Sequence, residues 1–199
     1  TRNSSSAASD VYKRQVAPAD GHVMFLRRER ATGRRPTKEQ VKTGHCEADD
    51  VTGDWFPQPL VDPLSFATEQ RFEAVPEGEE QPTDVWRMAV FMSPLDVHVN
   101  RAPAAGRIER IEHRTGKGRR RGPFRPAFSK ESEHNERVRS VHLLDAGLRI
   151  EITQISGAMA RTVIPYLYEG DTVRRGQRIG MIRLGSRVDL RAVSYTHLR

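Results

Sequence analysis

Three short stretches, far apart in the chain, carry residues that could do chemistry together. Val16-Ala-Pro-Ala-Asp-Gly-His-Val23 offers a carboxylate, Asp20. Phe91-Met-Ser-Pro-Leu-Asp-Val-His-Val-Asn-Arg-Ala-Pro103 offers an imidazole, His98. A run near the C-terminus offers a hydroxyl at Gly185-Ser186. Acid, imidazole and hydroxyl are the parts of a Ser/His/Asp constellation. A serine hydroxyl is a poor nucleophile until a base takes its proton, and an imidazole, titrating near neutrality, suits that task. Each residue also has a plainer reading: Gly185-Ser186 as a strand end, Asp20-Gly21 as a tight turn, His98 as a half-buried packing residue.

The elements that must position these residues read as short strands. A turn at Pro18-Ala-Asp-Gly21 leads into a strand from His22. Val97 and Val99 share one strand face and His98 takes the other. Ile179, Met181, Ile182 and Leu184 form an apolar run, broken by Gly180, that feeds the Gly-Ser pair. Val85 to Met92 reads as a buried strand. Ala105 to His113 reads as a strand with a bulge or twist, since a polar pair offsets Ile108 from Ile111. Val138 to Leu144 and Leu148 to Ile155 make a hairpin around Asp145-Ala-Gly147. From Ala158 to Tyr168 a strand is favoured, because Pro165 argues against a continuing helix. Gly170-Asp-Thr-Val-Arg-Arg-Gly-Gln177 gives a turn, a short strand and a turn, in a pattern that resembles lipoyl and biotinyl domains. The predicted fold is mainly β, a β-rich α+β chain with a barrel-sandwich-hybrid-like core, a fold cue that carries no function by itself. Residues 27–84 read as a long polar insertion, partly disordered, with Trp55-Phe56 and Leu64-Phe66 as apolar islands. Residues 114–137 read as loop.

Composition narrows the function classes. The chain has 199 residues, 36% hydrophobic and 30% charged, with a net charge of +7. This favours acidic partners, either nucleic acid or an anionic membrane surface. The single cysteine, Cys46, cannot form an internal disulfide. His45-Cys46 lacks the further ligands a metal site needs, so no metal is expected. No apolar run approaches the roughly 18 residues that span a bilayer. Residues 1–15 and 192–199 read as non-native tails around a domain of 16–191, with the native sequence expected to continue at both ends.

Four motifs, in order along the chain, resemble the phosphatidylserine decarboxylase family. They are Pro18-Ala19-Asp20-Gly21; Met92-Ser93-Pro94 with Asp96, His98, Asn100 and Arg101; Asn135-Glu136-Arg137-Val138; and Leu184-Gly185-Ser186. The resemblance covers roughly residues 16–190. It implies a proenzyme that cuts itself between Gly185 and Ser186 into two chains. Ser186 Oγ would attack the Gly185 carbonyl, and elimination and hydrolysis would leave a pyruvoyl group derived from Ser186, the cofactor and Schiff-base site. His98 would be the base and Asp20 would fix its tautomer. Some members of the family carry a second histidine where this chain has Arg101, so that role does not transfer. Arg101 could hold a substrate phosphate or carboxylate, or make a structural ion pair. Asn100 could be a site hydrogen-bonder or a turn residue. Asn135-Glu136-Arg137 has no physical role beyond fixing the loop before a strand.

The implied reaction is decarboxylation of phosphatidylserine to phosphatidylethanolamine by a peripheral enzyme on the cytoplasmic side of the cell membrane, with a homo-oligomer one assembly left open. The basic loop of Lys117, Arg119, Arg120, Arg121 and Arg125 is either a solvated charge run or a contact for anionic lipid. Nucleic acid is not the expected partner, since only Phe124 and Phe128 could stack on bases there and no recognisable module surrounds them. Two rival readings stand: a pyruvoyl decarboxylase for another amino-acid substrate, and a non-catalytic barrel-sandwich module with a basic lipid- or RNA-binding loop. His22, His45, His113, His134 and His142 lack ligand spacing and read as surface or packing residues.

Overall fold

A computed structural model describes residues 16–32, 71–81, 84–114, 127, 135–145, 147–158 and 162–193. Every regular element among them is a strand: β1 (His22–Thr32), β2 (Arg71–Ala74), β3 (Val85–Met92), β4 (Val99–Arg101), β5 (Gly106–Arg114), β6 (Arg137–Leu144), β7 (Arg149–Ile155), β8 (Val163–Pro165), β9 (Thr172–Val173), β10 (Arg178–Ile182) and β11 (Ser186–Val193). They form an eight-stranded sheet, ordered β2-β1-β3-β11-β7-β6-β5-β9, and a three-stranded sheet, β4-β10-β8. All pairings are antiparallel. The mainly β reading of the sequence is what the molecule shows.

The core lies between the two sheets. Val90 and Met92 of β3, Val188 of β11, Ile152 of β7 and Val138 of β6 meet Ile179 and Ile182 of β10 and Val163 of β8. Period-two alternation sends the intervening residues to the opposite face of the large sheet. That face carries charge. Arg87 contacts Glu29 and Asp189, Arg191 reaches Glu29 at 3.0 Å and Glu151 at 2.5 Å, and Arg139 reaches Glu151 at 2.7 Å. These residues are buried or nearly so. Burial alone would raise the Glu151 carboxyl, but Arg139 and Arg191 outweigh it and bring it down to about 2.

Several boundaries depart from the sequence reading. The stretch 27–84 is not wholly an insertion. β1 runs on to Thr32 through Arg27-Arg28-Glu29-Arg30, and β2 pairs with it, Glu29 opposite Ala74. Alternating charge hid this strand, because its inward carboxylate is neutralised by cross-strand arginines rather than replaced by an apolar residue. Trp55-Phe56 and Leu64-Phe66 lie outside the described residues. The favoured strand over 158–168 shrinks to Val163–Pro165. β11 extends to Val193, so Ala192, read as tail, instead pairs with Trp86 and Ile150. The bulge in β5 falls between Ile108 and Arg110, within the span where a polar pair breaks the alternation.

Candidate active site

The chain passes from the small sheet to the large one between β10 and β11, and the Gly185-Ser186 bond sits at that corner. Turning it demands unusual backbone. Leu184 has φ +27 and Gly185 φ +62. Glycine enters the left-handed region freely, whereas a leucine there carries strain on the order of 1–3 kcal/mol. Nothing lies within 4 Å of where a Cβ on Gly185 would stand, so conformation rather than crowding calls for glycine at 185. Ser186 then opens β11 opposite Met92 of β3 and is fully buried.

His98 arrives from the other sheet. It immediately precedes β4, and its carbonyl accepts the Ile182 N–H at 3.1 Å, which extends the β4–β10 ladder by one step. This places the ring against the corner. Ser186 Oγ lies 3.2 Å from His98 Nδ1, hydrogen-bond range between residues 88 apart in sequence. For Nδ1 to accept the serine proton, the neutral ring carries its own proton on Nε2. Among the described residues that buried nitrogen has no hydrogen-bond partner. Burial pushes the His98 pKa below its usual value, against a smaller upward pull from the Asp96 carboxylate. The imidazole is therefore neutral at pH 7, the form a general base needs.

Asp20 does not orient that ring directly. Its carboxylate accepts the Val97 N–H at 3.3 Å, so it holds the residue before His98. The Pro18 carbonyl, accepting the Arg101 N–H at 2.9 Å, pins the same segment three residues later. Asp20 sits in an exposed turn, and from there it reaches backbone instead of imidazole. The carboxylate whose charge reaches His98 is Asp96. It closes the Ser93–Asp96 turn by accepting the Ser93 N–H at 2.6 Å. The Ser-Pro-x-Asp spacing is itself a turn signal, and it could have pointed to Asp96.

Asn100 and Arg101 are both held by contacts within the protein. Asn100 is buried on β4, accepts from Gln154 Nε2 at 2.7 Å and donates toward Met92 Sδ at 3.5 Å. It ties the two sheets together and is neither a turn residue nor free for a ligand. Arg101 is exposed, and its Nη1 donates to the Gly176 carbonyl at 2.9 Å. The Asn135-Glu136 motif gains a role the sequence did not supply. Asn135 Nδ2 donates to the Ser156 carbonyl at 2.8 Å, and the Glu136 carbonyl accepts the Ser156 N–H at 2.9 Å. The basic loop, Lys117 to Arg125, lies outside the described residues.

A second serine–histidine pair, Ser140 and His142 on β6, also emerges, with Oγ 2.9 Å from Nε2. His142 is fully buried, and burial brings its pKa down to about 4. No strained peptide adjoins it. The two pairs share residue types, but only Ser186 follows two residues held at positive φ.

Known proteins place this geometry. A family model described as phosphatidylserine decarboxylase matches residues 3–192. Among curated relatives, the phosphatidylserine decarboxylase proenzyme of Streptomyces griseus is 49% identical over 142 residues, 68% of this chain and 61% of that protein. The proenzyme of Streptomyces coelicolor is 47% identical over 142 residues, 68% of this chain and 60% of that protein. That of Gluconobacter oxydans is 44% identical over 108 residues, 54% of this chain and 46% of that protein. No solved structure matches the chain. The chain thus spans about three fifths of the length of the first of these relatives. With a family model covering nearly all of it, and with the motif serine and histidine meeting at the corner between two sheets, the chain belongs to the phosphatidylserine decarboxylase family.

Proposed function

We propose that this chain carries out self-cleavage between Gly185 and Ser186 and then pyruvoyl-dependent decarboxylation of phosphatidylserine. One observation carries the reading: Ser186 Oγ stands 3.2 Å from a neutral imidazole, next to a peptide bond held at positive φ. In the first step Ser186 Oγ bonds to the Gly185 carbonyl carbon. His98 Nδ1 takes the hydroxyl proton and returns it to the departing Ser186 nitrogen, so the amide becomes an ester. Loss of the Ser186 Cα proton expels the Gly185 carboxylate, and addition of water releases ammonia. The residues fit the resulting group: Ser186 is enclosed, polar at its tip and faced by a proton carrier. The pyruvoyl carbonyl supplies an electron sink for decarboxylation. Around it, His98 would hold and deliver a proton.

A phospholipid substrate requires the site to meet a bilayer, and the rim supports such an approach. Leu95, Val97 and Leu184 are exposed aliphatic side chains on the turns that bring His98 and Ser186 together. Among the described residues no helix is long and apolar enough to cross a membrane. The positive charge of the chain suits an anionic surface, and peripheral attachment on the cytoplasmic face is the arrangement proposed.

The test is intact mass and fragment analysis of the full-length protein. Two fragments ending at Gly185 and starting at a carbonyl-reactive residue 186 are expected, together with release of CO₂ from phosphatidylserine. Ser186→Ala should remain one chain. Normal processing of Ser186→Ala, or a parent that never cleaves at this bond, would end the proposal.

A further inference from the structure

The Gly185 carbonyl packs closely against a glycine of the segment that follows β7. A methyl group added to Gly157 would lie 1.8 Å from Gly185 O and 3.0 Å from Gly185 C. The carbonyl oxygen therefore rests directly on the bare Cα of Gly157. The register explains the meeting: Arg187 of β11 pairs with Ile155 of β7, and continuing that antiparallel pairing two residues brings 185 opposite 157. The φ of Gly157 lies outside the left-handed region, so room, and not backbone freedom, calls for glycine here. The segment is anchored by its neighbour. The Ser156 carbonyl accepts from Asn135 Nδ2 and the Ser156 N–H donates to the Glu136 carbonyl.

We propose that Gly157 is a positioning residue for self-cleavage: it seats the Gly185 carbonyl for attack by Ser186 Oγ, and Asn135 holds the seat in place. The inference rests on the self-cleavage reading above. In the attack the carbon–oxygen bond to Ser186 forms, the Gly185–Ser186 carbon–nitrogen bond breaks, and the proton travels from Oγ through His98 to that nitrogen. The trajectory depends on where the carbonyl stands, and displacement of reacting atoms by about 1 Å can cost 100-fold in rate. A side chain at 157 cannot coexist with the carbonyl in its present place. Glycines crowded by a backbone carbonyl occur elsewhere in the fold. A methyl group added to Gly106 would likewise lie 2.4 Å from the Leu143 oxygen, but that carbonyl takes no part in the proposed reaction.

The experiment compares cleavage rates, thermal melts and pH–rate profiles of the full-length protein with those of Gly157→Ala, Asn135→Ala and Gly106→Ala. Gly157→Ala should cleave about 100-fold more slowly at a temperature where it is folded. The acid inflection of its profile should stay at the parent position, because His98 has not moved. Asn135→Ala should slow cleavage by a smaller factor with the same unmoved inflection. Gly106→Ala should melt earlier and, while folded, cleave at the parent rate. Gly157→Ala cleaving within about threefold of the parent would overturn the inference, as would slowing in all three variants in proportion to lost stability. So would a Gly157→Ala chain that fails to fold, since its role would then be structural. A parent that does not cleave at 185/186 would instead refute the self-cleavage reading.

Discussion

The buried pair on β6 offers a quantitative test of the electrostatic reasoning. His142 is fully enclosed, its Nε2 faces Ser140 Oγ, and its Nδ1 is buried without a partner. A proton added there would bring a charge into a site that, among the described residues, offers no carboxylate to meet it, and burial lowers the pKa from 6.5 to about 4. In the unfolded chain the same ring titrates at its ordinary value. Between pH 6.5 and about 4 the unfolded state therefore binds a proton that the folded state refuses, and stability falls as pH falls. The contribution is fully present above 6.5 and gone below about 4. At ~1.4 kcal/mol per unit it amounts to about 3 kcal/mol over the window. His142→Gln keeps a polar side chain but removes the titration. Urea unfolding of uncleaved Ser186→Ala protein, with and without His142→Gln, should be measured at several values from about pH 7 to pH 4. The histidine-bearing chain should lose about 3 kcal/mol more than its partner, roughly half of it by pH 5.5. Carboxylates elsewhere titrate in both chains and cancel in the difference. Parallel stability profiles would show that the ring is not sealed as described.

Three further outcomes are expected. Asp96→Asn removes the carboxylate that pulls the His98 pKa upward, so the acid limb of the self-cleavage profile should move to lower pH; an unmoved or raised inflection would contradict the placement of Asp96. Glu151→Gln removes the buried carboxylate that Arg139 and Arg191 share, leaving Arg191 to Glu29, and should cost up to roughly 3 kcal/mol at pH 7 in urea unfolding. That deficit should shrink as pH falls from 4.5 toward 2, where the parent carboxyl itself becomes protonated. Leu95 is 96% exposed at the tip of the turn beside His98. Leu95→Asp should weaken sedimentation with anionic vesicles about tenfold, the effect of losing about half a leucine's burial, and unchanged binding would move the bilayer contact elsewhere.

Much of the architecture was legible because alternation of side chains is a local property. Val85 to Met92 became β3 with the predicted bounds, and the hairpin of β6 and β7 followed from two apolar runs around Asp145 and Gly147. Gly185 and Ser186 stood out by type and motif, and His98 by its Val-His-Val setting. Strands built from charge were not legible. Glu29 is buried among Arg27 of its own strand and Arg87 and Arg191, from β3 and β11, and no window around residue 29 contains the last two. The same holds for the site. The sequence named a serine, a histidine and an aspartate, but which of them touch depends on two sheets meeting at one corner. That folding set Ser186 against His98 and turned Asp20 to the Val97 amide, while Asp96 reaches the ring through its own local turn. It also put Gly157 under the Gly185 carbonyl, a contact between residues 28 apart whose only local trace is a missing side chain. Residue types and spacing fixed which chemistry was available. Long-range strand register fixed which atoms are close enough to perform it.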